Sequence, residues 1–307
     1  MFDNLQLLFV WAPIINVQVI LDGIFVGAVF ALCAYGLALV WGVMNIKNLA
    51  QGDFVILGGY LALVLHSWNL PLPVILVIVT IVMFVYGWSI YALIIRRIVD
   101  KDMFVSLLAT FGLSLLMQQA MNLYFGPEVQ TIDMKLPVID AFDNMVTIPY
   151  SKIISLALAG IITAAVVIFM KKSRTGQAIR ATAQDARAAR VLGIDTDRVY
   201  AFTFAFNSAL CGAAGVLVSV IWVIQPFYGI TYSVRTFAIV TAAGLGNLPG
   251  VISAAFGIGL FEKYTGMIVG TAYEVAAPVM ILLLVLIIRQ INICLLYTSP
   301  SPRDKHR

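Results

Sequence analysis

Charge is what this sequence has least of. Asp, Glu, Lys and Arg together make up 11% of the 307 residues, and 62% are hydrophobic, whereas a soluble domain carries about 25% charge. A chain so composed cannot clothe itself in a water-facing surface, which excludes an ordinary soluble fold. Histidine is rarer still: His66 and His306 are the only two, so no histidine-based metal site can be assembled and an enzyme is not expected. Cys33 and Cys211 lie inside apolar runs, where small packing residues are the expected reading and no disulfide is implied. The sequence contains no Gly-x4-Gly-Lys-Ser/Thr loop, so the chain is not itself a P-loop nucleotide hydrolase. Asp3 and the lack of a basic residue before Leu5 leave no positive n-region of a cleaved signal peptide, and the first apolar run is expected to act as the targeting signal.

What the chain has in abundance is apolar runs. Those of about 18 residues or more are long enough to cross a hydrocarbon core roughly 30 Å thick. The eight aliphatic residues from Ile281 to Ile288, at roughly −0.5 kcal/mol each, favour insertion by about 4 kcal/mol, more than one central charge would oppose. Punctuating the runs by charge, Pro and Gly predicts an all-α, polytopic transmembrane bundle of about eight or nine spans. Their expected limits are 15–43, 54–66, 72–95, 103–124, 153–170, 199–221, 237–245, 251–268 and 273–288. The segments 54–66 and 237–245 are short for a crossing and are expected to be tilted, broken or half helices, tolerated only where freed backbone groups are buried in protein or line a wet cavity.

The formal charge of +4 sits in loops between apolar runs, without an aromatic-interleaved patch, and is read as topology rather than nucleic-acid binding. The connector 171–198 holds Lys171, Lys172, Arg174, Arg180, Arg187, Arg190 and Arg198, and Arg96, Arg97 and Lys101 follow the third run. Both are expected in the cytoplasm, with the acidic, Pro-containing stretch 125–151 outside. Counting outward puts Arg289 inside and, for nine crossings, the amino terminus outside. Ionisable residues in or beside the apolar runs are Asp22, Arg235, Glu262, Lys263 and Glu274. Asp22 is expected either to cap a helix or to meet an ammonium group, and Glu262 and Lys263 to sit at an interface. A central, unpaired carboxylate of the kind used for proton or sodium coupling is not evident.

From Cys294 the composition changes to a stretch that resembles an in-frame sequencing-library adapter. Residues 294–307 are therefore set apart as a non-native tail, and 1–293 is taken as the transmembrane domain.

Within 36–60 the sequence reads GLALVWGVMNIKNLAQGDFVILGGY, a Gly-rich span end, a polar turn and a second Gly-rich span start. With LATFGLSL at 108–115, SRTGQAIRATAQDARAARVLG at 173–193 and GLGNLPG at 244–250, it resembles the permeases of high-affinity branched-chain amino acid ABC transporters, in the family's order and over nearly all of 22–288. The family's turn is Asn, an aromatic, Ala, His and Gly; here it is Asn48, Leu49, Ala50, Gln51 and Gly52, departing at two positions. The resemblance implies a multi-pass protein of the bacterial inner membrane that imports branched-chain or related small amino acids. Its implied partners are a second related permease, two ATP-binding subunits, a periplasmic solute-binding protein and membrane lipid. It implies no cofactor of its own, ATP being held by the partner. A permease for urea or short amides shares the scaffold and remains the alternative, with an ion-coupled secondary transporter behind it.

The connector carries its own helix signals. Thr175 is placed to cap a helix over 176–192 that ends at Gly193. Ala186, Ala189, Val191, Leu192 and Ile194 form an apolar edge on a charged helix, which calls for a partner surface. The resemblance makes this the coupling helix, with Gln184 and Asp185 where the family has an acidic pair, and Ala186, Ala189, Leu192 and Gly193 against the ATP-binding subunit. The alternative is an amphipathic helix on the inner leaflet. In the turn 45–53, Asn45, Lys47, Asn48, Gln51 and Asp53 either line a wet vestibule or form an ordinary cytoplasmic turn. Asn48, Gln51 and Gly52, and Gly244, Gly246 and Pro249 of the sharp turn between two later helices, are the pathway or hinge candidates.

Overall fold

In lipid no water satisfies free N–H and C=O groups, so an apolar segment must close its hydrogen bonds within itself, and a helix does this. The computed structural model describes residues 14–99, 101–141, 146–244 and 246–298, with the side chains of 141, 289 and 292–298 left out. Its elements are α1 (Ile15–Met44), α2 (Gln51–His66), α3 (Leu72–Leu93), α4 (Met103–Phe125), β1 (Val138–Ala141), β2 (Val146–Pro149), α5 (Tyr150–Lys172), α6 (Arg174–Gln184), α7 (Ala186–Val191), α8 (Thr196–Ile221), α9 (Gly229–Ala243), α10 (Leu248–Ile268) and α11 (Ala276–Thr298).

Five described helices are long and apolar enough to cross a membrane: Ile15–Met44, Leu72–Arg97, Met103–Phe125, Tyr150–Lys172 and Thr196–Ile221; Gln51–His66 and Ala276–Ile288 are apolar but shorter. The chain is a multi-pass helical bundle. The run expected at 237–245 is part of a helix that starts at Gly229. Arg235, read in the sequence as a boundary, lies inside that helix because a buried carboxylate answers it. One short hairpin, absent from the expectation, pairs Val138 with Pro149 and Ala141 with Val146. Helix α11 continues through Thr298, past the expected tail boundary at Cys294. Residues 299–307 of that tail, and the Arg289 side chain, lie outside what is described.

Helices α1 and α8 form the centre, with 94% and 89% of their apolar windows buried, against 22% for α5. Among lipid tails, burying one Leu against another gains little, and close approach through small residues decides which helices pair. A Cβ at Gly23, Gly27 or Gly259 would overlap backbone across the α1–α10 contact, and one at Gly58 or Gly215 would do so between α2 and α8. On the outer helix α3, Ile75, Val79 and Met83 turn inward, while Val77, Ile81 and Val85 stay exposed. That helical period with apolar residues on both faces suits a helix that has protein on one side and lipid on the other.

Helix α2 begins inside the bundle. Its first residue, Gln51, donates to the Cys33 carbonyl at 2.9 Å, and at 1.5 Å per residue Cys33 stands roughly 16 Å back along α1 from Met44. The segment 45–50 bridges that distance, since an extended chain covers about 3.3 Å per residue. Helix α9 starts against the same point: a Cβ on Gly229 would overlap the Asp53 carboxylate. Gly52 N donates to Ser233 Oγ at 2.8 Å, and Ser233 Oγ donates to the Leu49 carbonyl at 2.7 Å. Two half helices thus meet head to head. Helix α2 leaves toward the hairpin end of the bundle, and α9 leaves toward the end that carries the α6–α7 connector.

Candidate functional site

The head-to-head junction is built from the polar turn. Asn48 and Gln51 are fully buried. Asn48 Oδ1 accepts from Ala50 N at 3.2 Å, and its Nδ2 donates to Gln51 Oε1 at 3.3 Å. Gln51 exchanges amide hydrogen bonds with Asn207 of α8, 2.8 Å in one direction and 3.0 Å in the other, and its Nε2 lies 3.0 Å from Cys211 Sγ. Cys33 and Cys211 are buried and free. Of the polar residues expected either to line a vestibule or to form an ordinary turn, Asn45 and Lys47 line cavities. Asn48, Gln51 and Asp53 are instead sealed in packed protein, because the extended segment before α2 carries them inward.

Asp53 is a central carboxylate without a cationic partner among the described residues, a group that was not evident in the sequence. It is fully buried and accepts from Ser114 Oγ at 2.5 Å and Gln118 Nε2 at 3.0 Å. Helix ends add to those side-chain hydrogen bonds. Asp53 occupies the first turn of α2 and touches the first residue of α9, so two helix N-termini, each equivalent to about half a positive charge, face one carboxylate.

A second cluster opens toward the hairpin end. Arg235 of α9 pairs with Glu262 of α10 at 2.6 Å, with side chains 14% and 2% exposed, and Lys263 pairs with Glu274. The Arg235 guanidinium also stands 5.3 Å and 5.8 Å from the ring centres of Phe30 and Tyr232. Together with Val26, Trp222, Tyr228 and Val275 these charges line a cavity of about 310 Å³. Glu262, expected at an interface, is therefore buried. Asp22, expected as a cap, sits within α1 and pairs with Lys152 at 2.6 Å. Sequence reasoning named all four charges without bringing them together. The available signal was that opposite charges in neighbouring apolar segments seek each other.

The connector is two helices rather than the single one expected. Ser173, not Thr175, caps α6, through Oγ to Gly176 N at 2.8 Å. The chain then breaks at Asp185, whose Oδ1 accepts from Arg187 N at 2.8 Å and Ala188 N at 3.0 Å, capping α7. Those hydrogen bonds, that of Ala188 foremost, hold the Asp185 carboxyl below its ordinary pKa. Gly193 ends the segment with φ of 85°, the left-handed cap that glycine accepts without a Cβ clash. Ala189 is 2% exposed and packs inward, whereas Val191 and Leu192 are 88% and 79% exposed. The outward apolar edge is thus Val191 and Leu192, with Gln184 and Asp185 exposed beside it and Ala186 half-buried. Arg96 and Asp197, 3.7 Å apart, put both basic segments at one end of the bundle.

The later turn joins the same end. Gly244 and Gly246 have φ of 87° and 82°, and Asn247 caps α10 by accepting from Gly250 N at 3.1 Å, with Pro249 in the first turn. Leu245 is outside the described residues. Gly246 and Gln184 line one cavity of about 430 Å³ with Trp41, Asn45, Ile179 and Arg180. Two motifs far apart in sequence converge there, where the connector abuts the bundle.

Comparison with known proteins identifies the family. Residues 19–288 match the family model described as branched-chain amino acid transport system / permease component. The chain is 28% identical over 291 residues to the high-affinity branched-chain amino acid transport system permease protein LivH of Escherichia coli (strain K12), covering 88% of this chain and 92% of that one. It is 27% identical over 290 residues to the corresponding protein BraD of Pseudomonas aeruginosa, covering 90% and 94%. A solved structure, PsaBC from Streptococcus pneumoniae in complex with Fab, aligns over 100% of this chain and 98% of that one at 15% identity with a TM-score of 0.43, a likeness too remote to build on.

Proposed function

The chain belongs to the family of branched-chain amino acid transport system permease components, and from that premise we propose that it is one membrane half of an ATP-driven importer of branched-chain or related small amino acids. The connector end faces the cytoplasm of a bacterial inner membrane, and the hairpin end faces the periplasm. The half helices α2 and α9, with α10 and α11, complete a bundle of nine membrane segments. A second related permease stands beside it, two ATP-binding subunits dock below, and a solute-binding protein delivers substrate from above. Closure of the ATP-binding pair is passed through α6 and α7 to the bundle as rigid-body motion.

The observation that carries this reading is the connector. Val191 and Leu192 stand almost fully exposed on a strongly basic segment outside the apolar helices, which a monomer has no reason to maintain. Below them, Gln184 and Gly246 share the cavity against the bundle, so a push on the connector reaches α1 and α10 directly. An ion-coupled transporter would draw on Asp53. That carboxylate, however, accepts from Ser114 and Gln118, one on each oxygen, and is closed in by α9, the environment of a structural anchor.

Reconstitution in vesicles tests the proposal. L-leucine uptake is expected only with the ATP-binding and solute-binding partners present. Replacing Val191 and Leu192 together by Glu is expected to lower that uptake at least tenfold with the thermal midpoint of the purified chain unchanged. Ala189, being buried, is unsuitable for this purpose, since a bulky charge there would break the connector itself. Uptake by this chain alone, driven by an ion gradient, would overturn the proposal.

A further inference from the structure

Resting on the amino-acid importer reading, we propose that the cavity between α9, α10 and the α10–α11 link is a subsite for the zwitterionic head of an aliphatic α-amino acid, entered from the hairpin end. Its charges are balanced: Arg235 and Lys263 against Glu262 and Glu274. A cavity built to pass a neutral amide has no use for four charges taken largely out of water, because each costs several kcal/mol to desolvate. A ligand that carries one charge of each sign and no net charge suits such a lining.

The geometry divides the roles. Arg235 gives Glu262 one terminal nitrogen at 2.6 Å, and its Nε is buried with no hydrogen-bond partner among the described residues. A guanidinium presents donors in a planar fork suited to a carboxylate, so the unfilled Nε side is the place for the substrate carboxylate. Glu274, 21% exposed and paired among the described residues only with the long-stemmed Lys263, is the acceptor for the ammonium group. Val26 and Trp222, also in the lining, supply the apolar wall for the side chain. The cavity, at about 310 Å³, lies at the small end of the range of about 300–1,000 Å³ in which ligand sites fall. Substrate arrival exchanges ion pairs within the protein for pairs with the ligand. The four charges are therefore paired both empty and filled, which lets a transport subsite bind without trapping.

The experiment is binding of radiolabelled L-leucine to the purified full chain in lipid nanodiscs, with competition by 4-methylpentanoate, 3-methylbutylamine and urea. Leucine is expected to bind. The acid and the amine, each lacking one charge, are expected to compete at least tenfold more weakly, and urea not at all. Arg235→Gln and Glu274→Gln are each expected to weaken binding tenfold or more, the second at a position exposed enough to leave folding intact. The reversal Arg235→Glu with Glu262→Arg keeps an ion pair but misplaces the fork. It is expected to restore the thermal midpoint without restoring binding. Wild-type protein that binds no leucine, urea that competes equally, or a reversed pair that binds normally would each overturn the subsite. ATP-driven leucine uptake by the complete transporter is read separately. Uptake without binding at this cluster removes the subsite and leaves the importer standing, whereas no uptake with all partners present removes the importer reading.

Discussion

Asp53 and Glu262 are both carboxylates withdrawn almost wholly from solvent, at 0% and 2% exposure, and the bundle compensates them in opposite ways. Asp53 has two helix N-termini, a hydroxyl and an amide. Glu262 has a guanidinium. Backbone dipoles cannot be withdrawn without unwinding a helix, so the first arrangement ties α2, α4 and α9 together rigidly. A side-chain cation can turn to another partner, so the second can change state. The rigid site is sealed in packed protein, and the exchangeable one borders a cavity. Burial by itself therefore says little about what a charge does in this protein; the nature of its partner says more.

The contrast breaks most visibly at Arg235. Arg235→Ala strands Glu262 without a counter-charge and is expected to destabilise the protein by about 3–5 kcal/mol, seen as the largest fall in thermal midpoint among these variants. A shift no greater than that of a surface substitution would mean the pair is dispensable. Next comes Gly229→Ala, whose Cβ would press on the Asp53 carboxylate; overpacking of this kind costs about 1–3 kcal/mol. Thermal denaturation in nanodiscs should place it below Arg235→Ala. Ser114→Ala removes one hydrogen bond to a buried charge and is expected to cost about 1.5–3 kcal/mol in wild-type background. Combined with Asp53→Asn the loss should shrink, because the charge that made the bond strong is gone, and a double-mutant cycle reads that coupling directly. The smallest effect on stability is expected for Glu274→Gln, under about 1 kcal/mol for a partly exposed pair, although the same change should strongly reduce leucine binding. If stability and binding fell in proportion, the division between anchor and exchangeable cluster would be wrong.

Much of the architecture was legible. The apolar runs correspond to helices, and 54–66 and 237–245 were marked as tilted, broken or half helices from length alone; the first lies in the short helix α2, and the second overlaps α9, which starts earlier, at Gly229, and ends at Ala243. Gly193 was placed correctly as a left-handed end because a Gly after the last periodic residue is a local signal. The break at Asp185 was missed because an Asp inside a charged stretch reads equally as helix surface or as a cap. The burial of Ala189 and the burial of Gln51 were missed for another reason: each depends on how neighbouring segments fold back.

The sequence by itself determined the solvent of this protein, its helical class, its family and the place of its long basic connector, since composition, period and motif are properties of short stretches. Only the tertiary structure decided that α2 and α9 meet head to head, that Asp53 rests on their N-termini and that Arg235 finds Glu262. In an apolar medium a polar group takes whichever partner the packing brings within reach, and that partner lies tens of residues away along the chain.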